Sequence, residues 1–193
     1  MNKSLAILLG ALVVAQFAVL ASMIHGKERI LREGEAFQFK TQPIDPADPF
    51  RGRYVRLGFE ADHIPLAQGV ATDLEYRETL YATITNDEAG FARFSGWSRE
   101  RPAAGAFLKT RYLGEHSEWD QATTKSTRTG LSIALPFDRY YMDEAKAPRA
   151  EQAVRDATRS TNCWATVRIL NGKAVVEDVF AQGQSLRTLA ARK

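Results

Sequence analysis

Ser4 to Ile24 reads SLAILLGALVVAQFAVLASMI, 21 residues with no charge and Gln16 as the one strongly polar member. About 20 apolar residues in a helix span the hydrocarbon of a bilayer. There every backbone N–H and C=O must find a partner inside the segment. The run predicts a membrane anchor within residues 1–26, with residues 4–24 in contact with the lipid bilayer. The rival is a cleaved signal peptide, with Val19-Leu20-Ala21 as a cleavage signal. The apolar region of a signal peptide is about 7–15 residues long, and this run is longer. Lys3 precedes the span and Lys27, Arg29 and Arg32 follow it. Counting Lys and Arg alone places the C-terminal side in the cytoplasm. Long domains translocate largely regardless of charge, and a short basic tail ahead of an apolar run has signal-anchor form.

The 193 residues suit one domain plus that anchor. Setting aside Lys3 leaves 25 basic residues against 23 acidic ones, so a pI near 9.1 overstates how basic the folded part is. Nucleic-acid binding needs a clustered basic face, and acids interrupt most of the basic runs here; no nucleic-acid partner is expected. Cys163 is the single cysteine, which rules out an intrachain disulfide.

Residues 27–35 are charged and polar and read as a juxtamembrane stalk, with a β-rich domain over 36–187. Ala36 to Thr41 places aromatic residues at alternate positions, as a half-buried strand does. Three prolines within Pro43–Pro49 then impose a stiff loop, with Asp45 and Asp48 bonding its turns. Tyr54 to Phe59 alternates as one strand. Ala61–Ala71 reads as a connection, and 78–85 and 91–95 as a hairpin across a five-residue loop. Ala106–Leu113 is a further strand, Gly114–Gly130 a polar loop, and Leu131–Leu135 a short apolar run that Pro136 turns into Phe137–Tyr141. Pro148–Arg159 is the best helix after the anchor, with Pro at its start and an i,i+4 Glu151–Arg155 pair. Cys163–Leu170, Asn171-Gly172 and Lys173–Phe180 form the clearest hairpin, since Asn-Gly between alternating strands is the strongest short-range signal of one. Gln182–Ser185 is polar, and the last residues read as frayed. About eight strands and one short helix predict a mostly antiparallel α+β domain, for which a partly closed barrel is one arrangement.

Gly52, Tyr54 and Leu57 hold the Gly, first Tyr and Leu places of a Gly-Asp-Tyr, two residues, Leu, one residue, Tyr signature. Arg53 stands in the Asp place and Phe59 in the last Tyr place. With the Pro43-Ile44-Asp45-Pro46 stretch before it, this segment resembles the signature of the GDYXXLXY family of membrane-associated bacterial proteins. The N-terminal span, Arg51-Gly52, Arg139-Tyr140-Tyr141-Met142-Asp143-Glu144, Glu151 and the closing strand–Asn-Gly–strand extend the likeness. The family has no established biochemical activity. The resemblance implies a bacterial inner-membrane location, a periplasmic domain, and a multi-pass membrane protein encoded nearby as a partner. Arg53 reverses a charge, so a role tied to the family's carboxylate does not carry over.

The chemistry-bearing residues favour binding over catalysis. No Gly-x-Ser-x-Gly elbow is present, and Cys163 beside Trp164 in a strand reads as a small core residue. His25, His63 and His116 are far apart in sequence, and Glu115-His116-Ser117-Glu118 reads as a solvated cluster. Asp45 and Asp48 lack the ordered ladder of a calcium loop. No metal and no cofactor is expected. Arg51, Arg53, Tyr54 and Arg56, with Arg139, Tyr140 and Tyr141, form a basic and aromatic set suited to an anionic group. Glu144 and Glu151 complete the candidate binding set, as internal ion-pair partners for its arginines. Arg51, beside Gly52 and the prolines, is expected to be structural, and Arg53 the more exposed. The alternative is an envelope hydrolase using carboxylates near Glu144 and Glu151.

The uncharged span and its flanks generate a topology test. An alkaline phosphatase fused after Lys193 is expected to be active, and a cytoplasm-dependent reporter at the same site silent. The opposite pattern would show that Lys27, Arg29 and Arg32 hold the domain in the cytoplasm.

Overall fold

The apolar run forms helix α1, Lys3–Glu33, in the computed structural model, which describes residues 3–42, 54–66, 73–120, 124–141 and 163–191. At about 1.5 Å per residue, its 31 residues extend roughly 46 Å. It is long and apolar enough to cross a membrane, and none of its most apolar stretch is buried in the protein. Ile7, Leu8, Phe17 and Met23 are all exposed, a cost in water that a lipid environment removes. The helix continues unbroken through Lys27–Glu33.

Twelve strands follow among the described residues: β1 (Glu35–Gln42), β2 (Tyr54–Arg56), β3 (Gly58–Phe59), β4 (His63–Pro65), β5 (Thr79–Asn86), β6 (Ala92–Ser98), β7 (Phe107–Asp120), β8 (Lys125–Ile133), β9 (Arg139–Tyr141), β10 (Cys163–Leu170), β11 (Lys173–Ala181) and β12 (Gln184–Ser185). A short helix α2 (Leu186–Ala191) closes the described chain. The strands make two antiparallel five-stranded sheets, ordered β12-β11-β10-β1-β3 and β4-β8-β7-β5-β6, and a two-stranded ribbon β2-β9. The fold is mostly antiparallel β with short helical content. The second sheet curls until its edge strands β4 and β6 approach one another. No hydrogen-bonded ladder joins those edges, so the sheet is not closed.

Alternation places the core. Along β10, Cys163, Ala165, Val167 and Ile169 are buried while the residues between them are half-exposed. Phe37, Phe39 and Thr41 of β1 follow the same period. Leu80, Ala82 and Ile84 of β5, Phe94 of β6, and Leu108 of β7 join them in a single core cluster. At its centre the Phe39 ring lies 5.9 Å from Phe59, 6.0 Å from Phe94 and 5.1 Å from Phe137. Cys163 is a buried core residue, as its strand setting predicts.

Helix α1 runs almost directly into the first strand. Ile30 is buried, Gly34 N–H donates to Ile30 C=O at 2.9 Å, and β1 begins at the next residue. A Cβ on Gly34 would collide with Ile30 C=O and stand 3.1 Å from Ile169 N. Arg168 clamps the junction, donating from Nη1 to Gly34 C=O at 3.1 Å while its Nε pairs with Glu177 at 2.7 Å.

Three stretches differ from the sequence reading, and a short helix near the end adds to it. Tyr54–Phe59 is two strands rather than one, because Leu57 N–H bonds Asp138 C=O and β2 and β3 then pair with different partners. The connection after Ala61 contains β4. The polar stretch Gly114–Gly130 lies largely in the β7–β8 hairpin, whose outer face is solvated and so needs no apolar residues. The chain after Ser185 forms α2, whose Leu186 is fully buried. The helix expected over 148–159 lies outside the described residues.

Asn171 and Gly172 both have positive φ, 52° and 77°, as a two-residue hairpin turn requires. Gly172 also docks on the other sheet: its C=O accepts from Lys109 N–H at 2.9 Å, and a Cβ there would lie 2.8 Å from the Phe107 ring. Gly172→Val meets both penalties, a left-handed backbone costing about 1–2 kcal/mol and overpacking costing about 1–3 kcal/mol. The expected fall in Tm is roughly 5–15 °C. An unchanged melting curve would mean the turn tolerates a branched side chain against Phe107.

Candidate functional site

The ribbon β2–β9 joins two parts of the basic and aromatic set that lie more than eighty positions apart in the chain. Its register opposes Tyr54 to Tyr141, Val55 to Tyr140 and Arg56 to Arg139. Directly opposed residues on antiparallel strands stand about 4.5–5.5 Å apart at Cα, so two tyrosine and two arginine positions are brought together. Leu57 and Phe59, which continue the signature, are buried in the core. Phe59 packs on Phe137 at 5.2 Å as well as on Phe39. A buried tyrosine at 59 would need a partner for its hydroxyl, and phenylalanine removes that need. Arg51, Arg53, Glu144 and Glu151, and Asp45, Pro46 and Gly52 of the signature, lie outside the described residues.

Tyr140 sits differently from its neighbours. It is buried, and its hydroxyl accepts from Arg187 Nε at 2.9 Å and donates to Asp178 Oδ1 at 3.1 Å. Asp178 in turn accepts from Val179 N–H at 2.8 Å and from Ser185 Oγ at 2.6 Å. Arg187 Nη2 donates to Glu177 C=O at 2.8 Å. This network ties β9 to β11, β12 and α2. Burial first, then the charge of Asp178, pushes the Tyr140 phenol above its usual range against the opposing effect of Arg187. Arg139 remains partly exposed, with its Nε 3.6 Å from Asp138.

Asp62, His63 and His116 make a second cluster that their sequence positions do not suggest. His63 on β4 and His116 on β7 flank the central strand β8, opposite Ser132 and Gly130. Their rings stack with centroids 3.9 Å apart and planes within 4°. Gly130 makes the room, since a Cβ there would lie 2.5 Å from Ile64 C=O and 3.1 Å from His63 Cδ2. Asp62 Oδ1 is 3.0 Å from His63 Nδ1, and Gln42 Nε2 donates to Asp62 Oδ2 at 3.3 Å. The signal in the sequence was Gly130, a glycine inside a strand, which marks close approach by something. It does not say by what. Beside this cluster a cleft of about 230 Å³ opens between β4 and β6, with a mixed lining that includes Lys40, Glu60, His63 and Arg93 alongside Phe91 and Phe94. That is smaller than the ~300–1,000 Å³ usual for small-molecule sites.

The GDYXXLXY protein family model matches residues 16–179. The chain belongs to the GDYXXLXY family. No curated protein and no solved structure matches it. For this GDYXXLXY member the signature has two physical parts. Leu57 and Phe59 anchor it in the core, and Tyr54 and Arg56 lie on the ribbon paired with β9.

The Tyr140 network generates a stability prediction. Tyr140→Phe leaves Asp178 and Arg187 each short of one bond and is expected to cost about 1–2 kcal/mol near neutral pH. Because the folded phenol titrates above the unfolded one, its contribution is complete below about pH 10 and is lost as pH rises further. Denaturation midpoints of the two proteins should therefore converge above that pH. Equal midpoints at pH 7 would show that the hydroxyl holds nothing in place.

Proposed function

We propose that this protein is a single-pass, non-enzymatic component of the bacterial inner membrane whose periplasmic β-rich domain, residues 36–187, binds an acidic segment of a multi-pass membrane-protein partner. Residues 1–26 are its anchor and 27–35 its juxtamembrane stalk. The ribbon β2–β9 is the binding surface, and the observation that carries the reading is its register, which opposes Arg56 to Arg139 and Tyr54 to Tyr141. Arginine binds carboxylates through paired charge-assisted hydrogen bonds, and arginine and tyrosine are the residues enriched where binding energy concentrates. Family membership and the apolar helix support the membrane setting. The ribbon joins the domain near the far end of the eight-residue β1, about 25 Å along that strand from the helix junction.

The test is affinity capture from native membranes with the full-length protein and with Arg56→Glu. Reversing one charge on the ribbon should leave stability within about 0.5 kcal/mol, while capture of a membrane protein is lost. Capture that survives Arg56→Glu would remove the ribbon from the interface. Binding to anionic vesicles by both proteins, with no protein captured, would point to lipid instead.

A further inference from the structure

We propose that Asp62, His63 and His116 form a binding site for a borderline transition-metal dication of the zinc class. The donor set carries the argument. Two imidazoles and one carboxylate are the ligands such ions select, whereas magnesium and calcium prefer all-oxygen sites. One donor atom from each residue lies within 4.8 Å of the other two, and all three residues are partly accessible to solvent. Four-coordinate ligands about 2.1 Å from one ion stand about 3.4 Å apart, so the widest pair must close by at most about 1.4 Å, which rotation of the half-exposed side chains supplies. Partial exposure leaves an entry path and a fourth position for water.

The geometry also says how the ion would seat. Asp62 Oδ1 and His63 Nδ1, 3.0 Å apart, are at the spacing of neighbouring ligands on one ion. The ion takes the place of the proton they share, and the His63 proton moves to Nε2. The ring planes, now within 4° of parallel, tilt so that a His116 nitrogen also aims at the ion. The platform for this is rigid. His63 and His116 stand on strands hydrogen-bonded to either side of β8, Gly130 leaves the space between them, and Gln42 holds the far oxygen of Asp62. The backbone positions are thus in place, and the cost of assembling the site is the side-chain rotation that unstacks the two rings. The site is separate from the ribbon and does not depend on its role.

The full-length protein in detergent, stripped with a chelator, would be titrated with zinc chloride by calorimetry and with cobalt(II) by visible absorption. We expect one equivalent of zinc to bind and to raise Tm, magnesium to do neither, and cobalt to give the spectrum of a four-coordinate site. His63→Ala and His116→Gln should each weaken zinc binding at least tenfold, and His25→Ala should leave it unchanged. Circular dichroism and melting of each variant without metal would confirm that it is folded; Asp62→Asn supplies a further variant if either histidine change unfolds the protein. Undiminished zinc binding in the folded His63 and His116 variants, or no binding by the wild-type protein at 100-fold molar excess of zinc, would overturn the proposal.

Discussion

The Phe39 ring, in contact with Phe59, Phe94 and Phe137 at 5.1–6.0 Å, holds the two sheets, the signature strand and the segment leading into β9 on one point. Phe39 belongs to β1 and Phe94 to β6, so the contact crosses between the sheets. Phe59 comes from the signature, and Phe137 precedes the ribbon strand that opposes it. Aromatic pairs at these distances and inclinations add about 0.5–1.5 kcal/mol each beyond the area they bury. More important than the energy is the connectivity. Leu57 and Phe59 can reach the core only if β3 pairs with β1, and that pairing delivers β2 to β9. Leu57 and Phe59 thus give the signature an architectural role.

A second constraint acts at the other end of β1. Gly34 is the one residue between α1 and the sheet, and Arg168 reaches back to its carbonyl. A flexible linker would let the domain sample a wide volume. Here the chain turns within a single residue, packs Ile30 into the domain and starts a central strand. Glu33, at the end of α1, lies nine positions after Ile24, roughly 14 Å along the helix.

The two candidate surfaces arise differently. The ribbon is built by strand pairing between a segment near residue 55 and one near 140, with Tyr140 tied down by Arg187 and Asp178 so that β9 cannot slide. The histidine pair is built by omission. β8 carries Gly130 where any side chain would fill the space, and two imidazoles from the flanking strands meet over it.

Local sequence was sufficient wherever the physics is local. Twenty-one uncharged residues determine a membrane-capable helix because chain length and hydrocarbon thickness are matched. The alternation in Cys163–Leu170 determines a strand with one buried face, and Asn171-Gly172 determines its turn because few residue pairs accept two positive φ values in succession. The aromatic period in Phe37 and Phe39 was legible for the same reason. Three things were decided only in three dimensions. Long polar strands such as the outer part of β7 lack an apolar period, since a sheet hairpin can be solvated and still be paired. The break at Leu57 and the burial of Leu186 reflect which distant groups, Asp138 and the core, compete for those residues. The meeting of His63 with His116, and of Arg56 with Arg139, follows from strand order and register, which depend on the whole set of pairings and are written in no single segment.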